Sequence, residues 1–181
     1  AVSILKRFGA EPLYPLPAER LSEAETVNLA GVNDHLASEE SFLRWLDALN
    51  WNDPYSAGSL IAASVNTIGA AGLLDTACAY LSARQNRDTG LWGAGETYDA
   101  ANAAMKIGAV YAAAMVPYPN MEKAADSVIR TVTGPDQPET ICEVWNPIEA
   151  INYIISSNQY QIPEEMRQKI KESILTIMDL T

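Results

Sequence analysis

Two long stretches of this chain carry almost no charge, and that restricts its fold more than any motif does. Pro54 to Leu74 holds no charged residue, and from Tyr98 to Met115 Lys106 is the only charge after Asp99. Both stretches are rich in small residues, and neither shows the alternation with β-branched residues that marks a strand. A helix with no charged face has little to offer water and is expected to lie inside protein. Pro54 to Leu74 approaches a bilayer span in length. Its Ser56, Gly58, Ser59, Ser64, Asn66, Thr67, Gly69 and Gly72 nevertheless make insertion unfavourable, so no membrane partner is expected.

The segments between are of the opposite kind. Ser38 caps a helix with Phe42, Trp45, Leu46 and Leu49 on one face and Glu39, Arg44 and Asp47 on the other. Met121 to about Thr133 is again amphipathic, as is Ile162 to Leu180 with Pro163 at its start. Leu73 to Arg84 mixes apolar and polar positions, and the run ICEVWNPIEAINYIISS is expected to enter a helix near Pro147. Asp53 and Pro54 suit the cap and first turn of the first uncharged helix. Residues 1–18, with Pro12, Pro15 and Pro17, read as an extended Pro-rich arm, and Glu19 to His35 as a modest helix or two broken turns around Gly31. The expectation is an all-α chain with essentially no sheet, its single domain running from 19 to 181. Wet-faced and charge-poor helices alternate in it as two concentric layers require.

A net charge of -11 disfavours nucleic acid and anionic membranes as partners. Cys78 and Cys142 are too few for a disulfide scaffold, and His35, the lone histidine, cannot build a metal site, so no metal or cofactor is expected. No signal peptide is visible at the start of the sequence, which favours the cytoplasm, although a processed secreted chain would look the same.

Trp51, Trp92 and Trp145 each precede a charge-poor stretch, 41 and 53 residues apart, close to the length of a helix pair. Trp51-Asn52-Asp53-Pro54 and Trp145-Asn146-Pro147 share letters when one residue is added. The pattern reads as a repeated helical hairpin.

Ala77-x-x-Tyr80-Leu81-x-x-x-Gln85, followed by Gly90-x-Trp92, resembles the QW motif of terpenoid cyclases and the related protein prenyltransferases. It has one extra residue between Gln85 and Gly90, and Thr76 where the motif begins with a basic residue. The resemblance implies an α/α toroid in which the Gln caps an outer helix and the Trp covers it. The acidic motifs of those families, for protonating an alkene or holding magnesium diphosphate, are missing. Fewer hairpins are counted than a complete ring of this kind has, so the chain reads as a partial toroid: a fragment, an arc, or part of a ring completed by another copy.

In such toroids the loops entering the inner helices line one mouth of the cavity. Here they offer Trp51, Tyr55, Trp92, Tyr98, Asn102, Trp145 and Asn146 as ligand-binding candidates, with Asp53, Glu96, Asp99 and Glu143 as candidate catalytic carboxylates. Aromatic rings beside carboxylates suit a carbohydrate, since sugar faces stack on indole and phenol while carboxylates bond hydroxyls or act as acid and base. The bland reading sets Trp92 and Trp145 as packing locks and Asp53 and Asp99 as helix-start charges. The alternatives are a non-catalytic interaction module, a truncated part of a larger enzyme, and a terpenoid-cyclase-like enzyme with an apolar cavity.

Overall fold

A computed structural model of the chain describes residues 9, 34–136, 138–158 and 162–179, with the side chains of 176–179 excepted. The arm expected over 1–18, Gly9 apart, and the helix or turns expected between Glu19 and residue 33 lie outside the described residues. Among the described residues all regular structure is helical. After a short 3-10 turn at Asp34–Leu36 come α1 (Glu39–Ala48), α2 (Pro54–Ala63), α3 (Val65–Ala70), α4 (Leu74–Arg84), α5 (Tyr98–Ala114), α6 (Met121–Thr133), α7 (Ile141–Ser157) and α8 (Glu164–Asp179).

The helix starts follow capping chemistry. Ser38 Oγ accepts from Ser41 N at 3.1 Å, Asp53 from Ser56 N at 3.0 Å with Pro54 as first helical residue, and Thr97 Oγ1 from Ala100 N at 3.2 Å. Two expectations are corrected. The uncharged run is not one helix: it breaks at Ser64, ahead of Val65, Asn66 and Thr67, three residues of weak helix propensity. The second correction concerns α7, which starts at Ile141 rather than near Pro147. A capping box formed by Thr140 and Glu143 satisfies the first-turn amides and fixes the start there, leaving Pro147 inside the helix. Trp145 therefore sits on a helix and not in a loop, and the lettering it shares with Trp51 marks no shared structure.

α5 is the centre of the molecule, with α2 packed along one side and α7 along the other. Glycines set both contacts: a Cβ on Gly58 would lie 3.1 Å from Ile107 of α5, and one on Gly108 of α5 would lie 2.9 Å from Tyr153 Cβ of α7. α4 and α6 also pack on α5, α8 packs on α6 and α7, and α1 packs on α4. The chain thus alternates between a charge-poor row, α2–α5–α7, and the charged helices beside it. Away from Tyr111, which faces α4, α5 leaves Lys106 and Ala109 half-buried and Ala113 exposed along one stripe.

The core is fullest between α4, α5 and α6. Trp92, Tyr111 and Tyr118 are buried there, with Trp92 and Tyr118 meeting edge to face at 5.7 Å. The Tyr111 hydroxyl donates to the Cys78 carbonyl at 3.1 Å. Burial pushes the Tyr111 and Tyr118 phenols up and, with Asp75 nearby, the Cys78 thiol up to about 11.

Candidate functional site

The starts of the three charge-poor helices come together at one rim. A cleft of about 590 Å³ is lined by Trp51, Asn52, Asp53 and Pro54 from the first loop and by Gly93, Ala94, Thr97, Asp99 and Ala100 from the second. A neighbouring cleft of about 270 Å³ takes Glu96 through Asp99 from the second loop, Arg130 and Thr131 from α6, Gly134 to Asp136 from the next loop, and Glu143 from α7. Thr97 and Asp99 belong to both. Close loop approach makes this possible: Gly93 has φ +115, and a Cβ there would lie 3.0 Å from Pro54.

Trp51 is held in place from behind. Its indole N–H donates to the Leu46 carbonyl at 2.8 Å, and the Arg84 guanidinium lies 5.1 Å from its ring and 4.7 Å from that of Tyr80. Asp47 anchors the cluster by accepting from the Tyr80 hydroxyl at 2.7 Å and from Arg84 at 2.9 Å. The two bonds hold its carboxyl below the usual range. Neither Arg84 nor Asp47 is among the candidates read from sequence. Tyr80 and Arg84 are four residues apart on a helix, which was the available signal.

Most of the candidate carboxylates have structural partners. Glu96 accepts from Arg130 Nε at 2.8 Å and from Ser127 at 3.0 Å. The Arg130 bonds, with Ser127 helping, hold it below the usual carboxylate range. Asp53 accepts from the Ser56 hydroxyl at 2.6 Å as well as from its amide, and Ser56 likewise holds that carboxyl low. Glu143 accepts from the amides of Thr140 and Glu139. Asp99 is exposed in the first turn of α5, between the two clefts. Tyr98 places its hydroxyl 3.5 Å from the Asp136 carbonyl, and burial, then the Glu143 and Asp136 carboxylates, push its phenol up.

The remaining candidates lie away from the clefts. Trp92 is buried with its N–H on the Leu81 carbonyl at 2.9 Å, so it packs the core rather than facing a ligand. Asn102 and Asn146 are both buried, and the Asn102 side-chain oxygen has no hydrogen-bond partner. Tyr55 lies beneath Lys106, whose ammonium is 5.7 Å from the ring centre. Trp145 stands 62% exposed on the free face of α7, lining neither cleft. Arg130 and Asp136 are lining residues that sequence reasoning passed over.

Among the described residues no group of His, Cys, Asp and Glu is arranged to hold a metal ion, and no helix is long and apolar enough to cross a membrane. No family model, curated protein or solved structure matches the chain.

Proposed function

We propose that the rim formed by the starts of α2, α5 and α7 binds a hydroxyl-rich ligand of the carbohydrate class. The observation that carries this reading is the sharing of Thr97 and Asp99 between the two clefts, which makes one surface of Trp51, Tyr98, Asp99, Asp136 and Glu143. Trp51 offers an aromatic plane already fixed by Arg84 and Leu46, so little side-chain freedom is lost when a sugar face stacks on it. Carboxylate and carbonyl oxygens beside it accept from hydroxyls. The larger cleft has the size of a small-ligand site.

Binding is favoured over cleavage. A glycosidic general acid needs a carboxyl whose pKa is raised. Glu96 and Asp53 are both held low, and Glu143 is occupied with the α7 start.

The layering of charged helices beside the α2–α5–α7 row supports reading the chain as part of an α/α toroid. Gln85 supports it in a modified form, since its amide does not cap α4 but reaches the carbonyls of Gly90 at 2.7 Å and Pro119 at 2.8 Å. An interaction module is the second reading, favoured by the exposure of Trp145 and Ile141 on α7.

The test is a panel of mono- and disaccharides read by thermal shift and calorimetry. The expected result is a saccharide response in the native chain that Trp51→Ala and Asp99→Asn each abolish and Trp145→Ala leaves intact. A native chain that answers no saccharide, or an Asp99→Asn variant that binds as well as the native chain, removes the reading.

A further inference from the structure

Beside the last turn of α7, about 18 Å further along that helix than Glu143 of the rim, lies a groove of about 320 Å³. Ile155 of α7 lines it, with Arg167, Ile170, Lys171, Ile174 and Leu175 of α8. Ile170 is buried, Ile155 and Ile174 are half-buried and Leu175 is 53% exposed, so apolar surface runs from the core out to solvent. Both charged lining residues are cations. Arg167, Lys171 and Leu175 follow one another at single-turn spacing, with Ile170 and Ile174 on the adjoining line. The groove is therefore basic toward the start of α8 and apolar toward Leu175. Arg167 Nε donates to the Ile162 carbonyl at 3.4 Å, whereas exposed Lys171 makes no hydrogen bond or ion pair among the described residues. Glu164, Glu165 and Glu172 are also exposed on α8, but none lines the groove. Glu165 lies 3.7 Å from Lys169, and Glu172 accepts from Gln168 at 2.9 Å.

We propose that this groove binds a soluble single-chain carboxylate of the fatty-acid class. Its alkyl chain lies along Ile155, Ile170, Ile174 and Leu175, and its carboxylate meets Lys171 and Arg167. Size favours this occupant over a partner helix. A volume of about 320 Å³ is at the low end of small-ligand sites, whereas a helix is about 10 Å across and needs several turns of groove. Charge decides the head group. Long basic side chains shelter apolar surface with their stems, but here they leave Leu175 and the groove open. In a chain of net charge -11 most of the surface repels an anion, and two adjacent cations at one apolar groove reverse that locally. A cationic amphiphile of the same length meets the opposite balance. The groove is remote from the rim, so this inference is independent of the saccharide reading above.

Calorimetric titration of the chain with octanoate, decanoate and dodecanoate, each below its micelle concentration, tests it. Affinity is expected to rise by up to about fourfold per added CH₂ until the chain outgrows the groove. Decyltrimethylammonium is expected to bind about tenfold more weakly than decanoate. Lys171→Glu, at an exposed position, is expected to keep the helical circular dichroism and to reverse that preference. Ile174→Glu, which sets a charge where the alkyl chain lies, should abolish binding, and Trp51→Ala should leave it intact. No binding of any carboxylate, a response only above the micelle concentration, or equal binding of the two decyl head groups overturns the proposal. A Lys171→Glu variant that keeps the native preference, or an Ile174→Glu variant that binds as the native chain does, also overturns it. So does a ligand-free native chain that sediments as a pair which Ile174→Glu splits, since the groove then belongs to a second copy.

Discussion

The indole N–H of Trp92 donates to the carbonyl of Leu81 at 2.9 Å, binding the loop before α5 to the last turn of α4. Trp51 does the same one hairpin earlier, donating to Leu46 in the last turn of α1 at 2.8 Å. Helix ends leave carbonyls without intrahelical donors, and in each hairpin an indole from the following loop supplies one. Replacing Trp92 with Phe retains most of the apolar burial and deletes that donor, so a loss of about 1–3 kcal/mol is expected. Trp92→Ala also opens a cavity and is expected to lose about 3–5 kcal/mol. Urea denaturation of both variants separates the two contributions. A Trp92→Phe variant as stable as the native chain would mean that the hydrogen bond contributes nothing.

The spacing within the charge-poor row rests on glycine. A Cβ at Gly108 would sit 2.9 Å from Tyr153 Cβ, closer than side-chain carbons approach. Gly108→Ala gains helix propensity of about 1 kcal/mol. Over-packing of about 1–3 kcal/mol opposes it. The expected outcome is net destabilisation that Tyr153→Ala relieves only in part, since it removes the ring atoms 3.1 and 3.2 Å away but keeps Cβ, and that Tyr153→Gly relieves in full, a strongly non-additive pair in denaturant melts. Additive losses would show that the contact does not set the spacing.

The charge pattern was the legible part of this fold. The charge-poor stretch around α5 is buried over most of its length, from Ala100 to Ala104 and again at Ile107, Gly108 and Val110, whereas the uncharged Pro54–Leu74 run, expected inside protein, is buried on one face only and exposes Leu60, Ala63, Asn66 and Thr67 on the other. The cap letters at Ser38 and Asp53 likewise act locally, so they can be read without knowing the partners, whereas Thr97 rather than Asp99 caps α5. Letter similarity misled at Trp145. Pro147 looked like a helix start because its neighbours matched those of Pro54, but the capping box at Thr140 and Glu143 starts the helix six residues earlier. Trp51, Asp53 and Glu96 were legible as loop residues, while Tyr98, Asp99 and Glu143 lie in the first turns of α5 and α7, and the partners of the rim residues were not legible. Arg130 reaches Glu96 from 34 positions away, and Arg84 reaches Asp47 from 37. Only tertiary packing brings such pairs together.

Glu96 and Arg130 give a pH-dependent prediction. Arg130 holds the Glu96 carboxyl below its unfolded value of about 4.3. A depressed folded pKa stabilises the protein above the unfolded value, and this stabilisation is lost as pH falls through the folded one. The pair is largely solvent-accessible, so its contribution is expected to be under about 1 kcal/mol. Glu96→Gln should therefore be slightly less stable than the native chain at neutral pH, and the gap should close below about pH 4. A gap that widens on acidification contradicts the assignment.

Gln85 offers the sharpest contrast, because it is buried and both of its amide donations go to backbone carbonyls, those of Gly90 and Pro119. Its oxygen accepts from Asn120 at 2.6 Å, so the side chain joins the end of α4 to the start of α6. Gln85→Glu keeps the shape and reverses the chemistry: an ionised carboxylate offers no proton to either carbonyl and repels both, whereas the protonated acid can donate to one. The carboxyl's folded pKa must then lie above its unfolded value of about 4.3. With that sign the folded state holds the proton more tightly, so the variant loses stability as pH rises through that interval and levels off above the folded pKa. At low pH the expected deficit is that of one missing hydrogen bond, about 1–3 kcal/mol, and it grows toward neutrality. Gln85→Ala, with nothing to ionise, should show a deficit that does not vary with pH. Denaturant melts of both variants against the native chain across the acid range decide it, and a flat deficit for Gln85→Glu would mean that the side chain turns out to water instead of bridging the two loops.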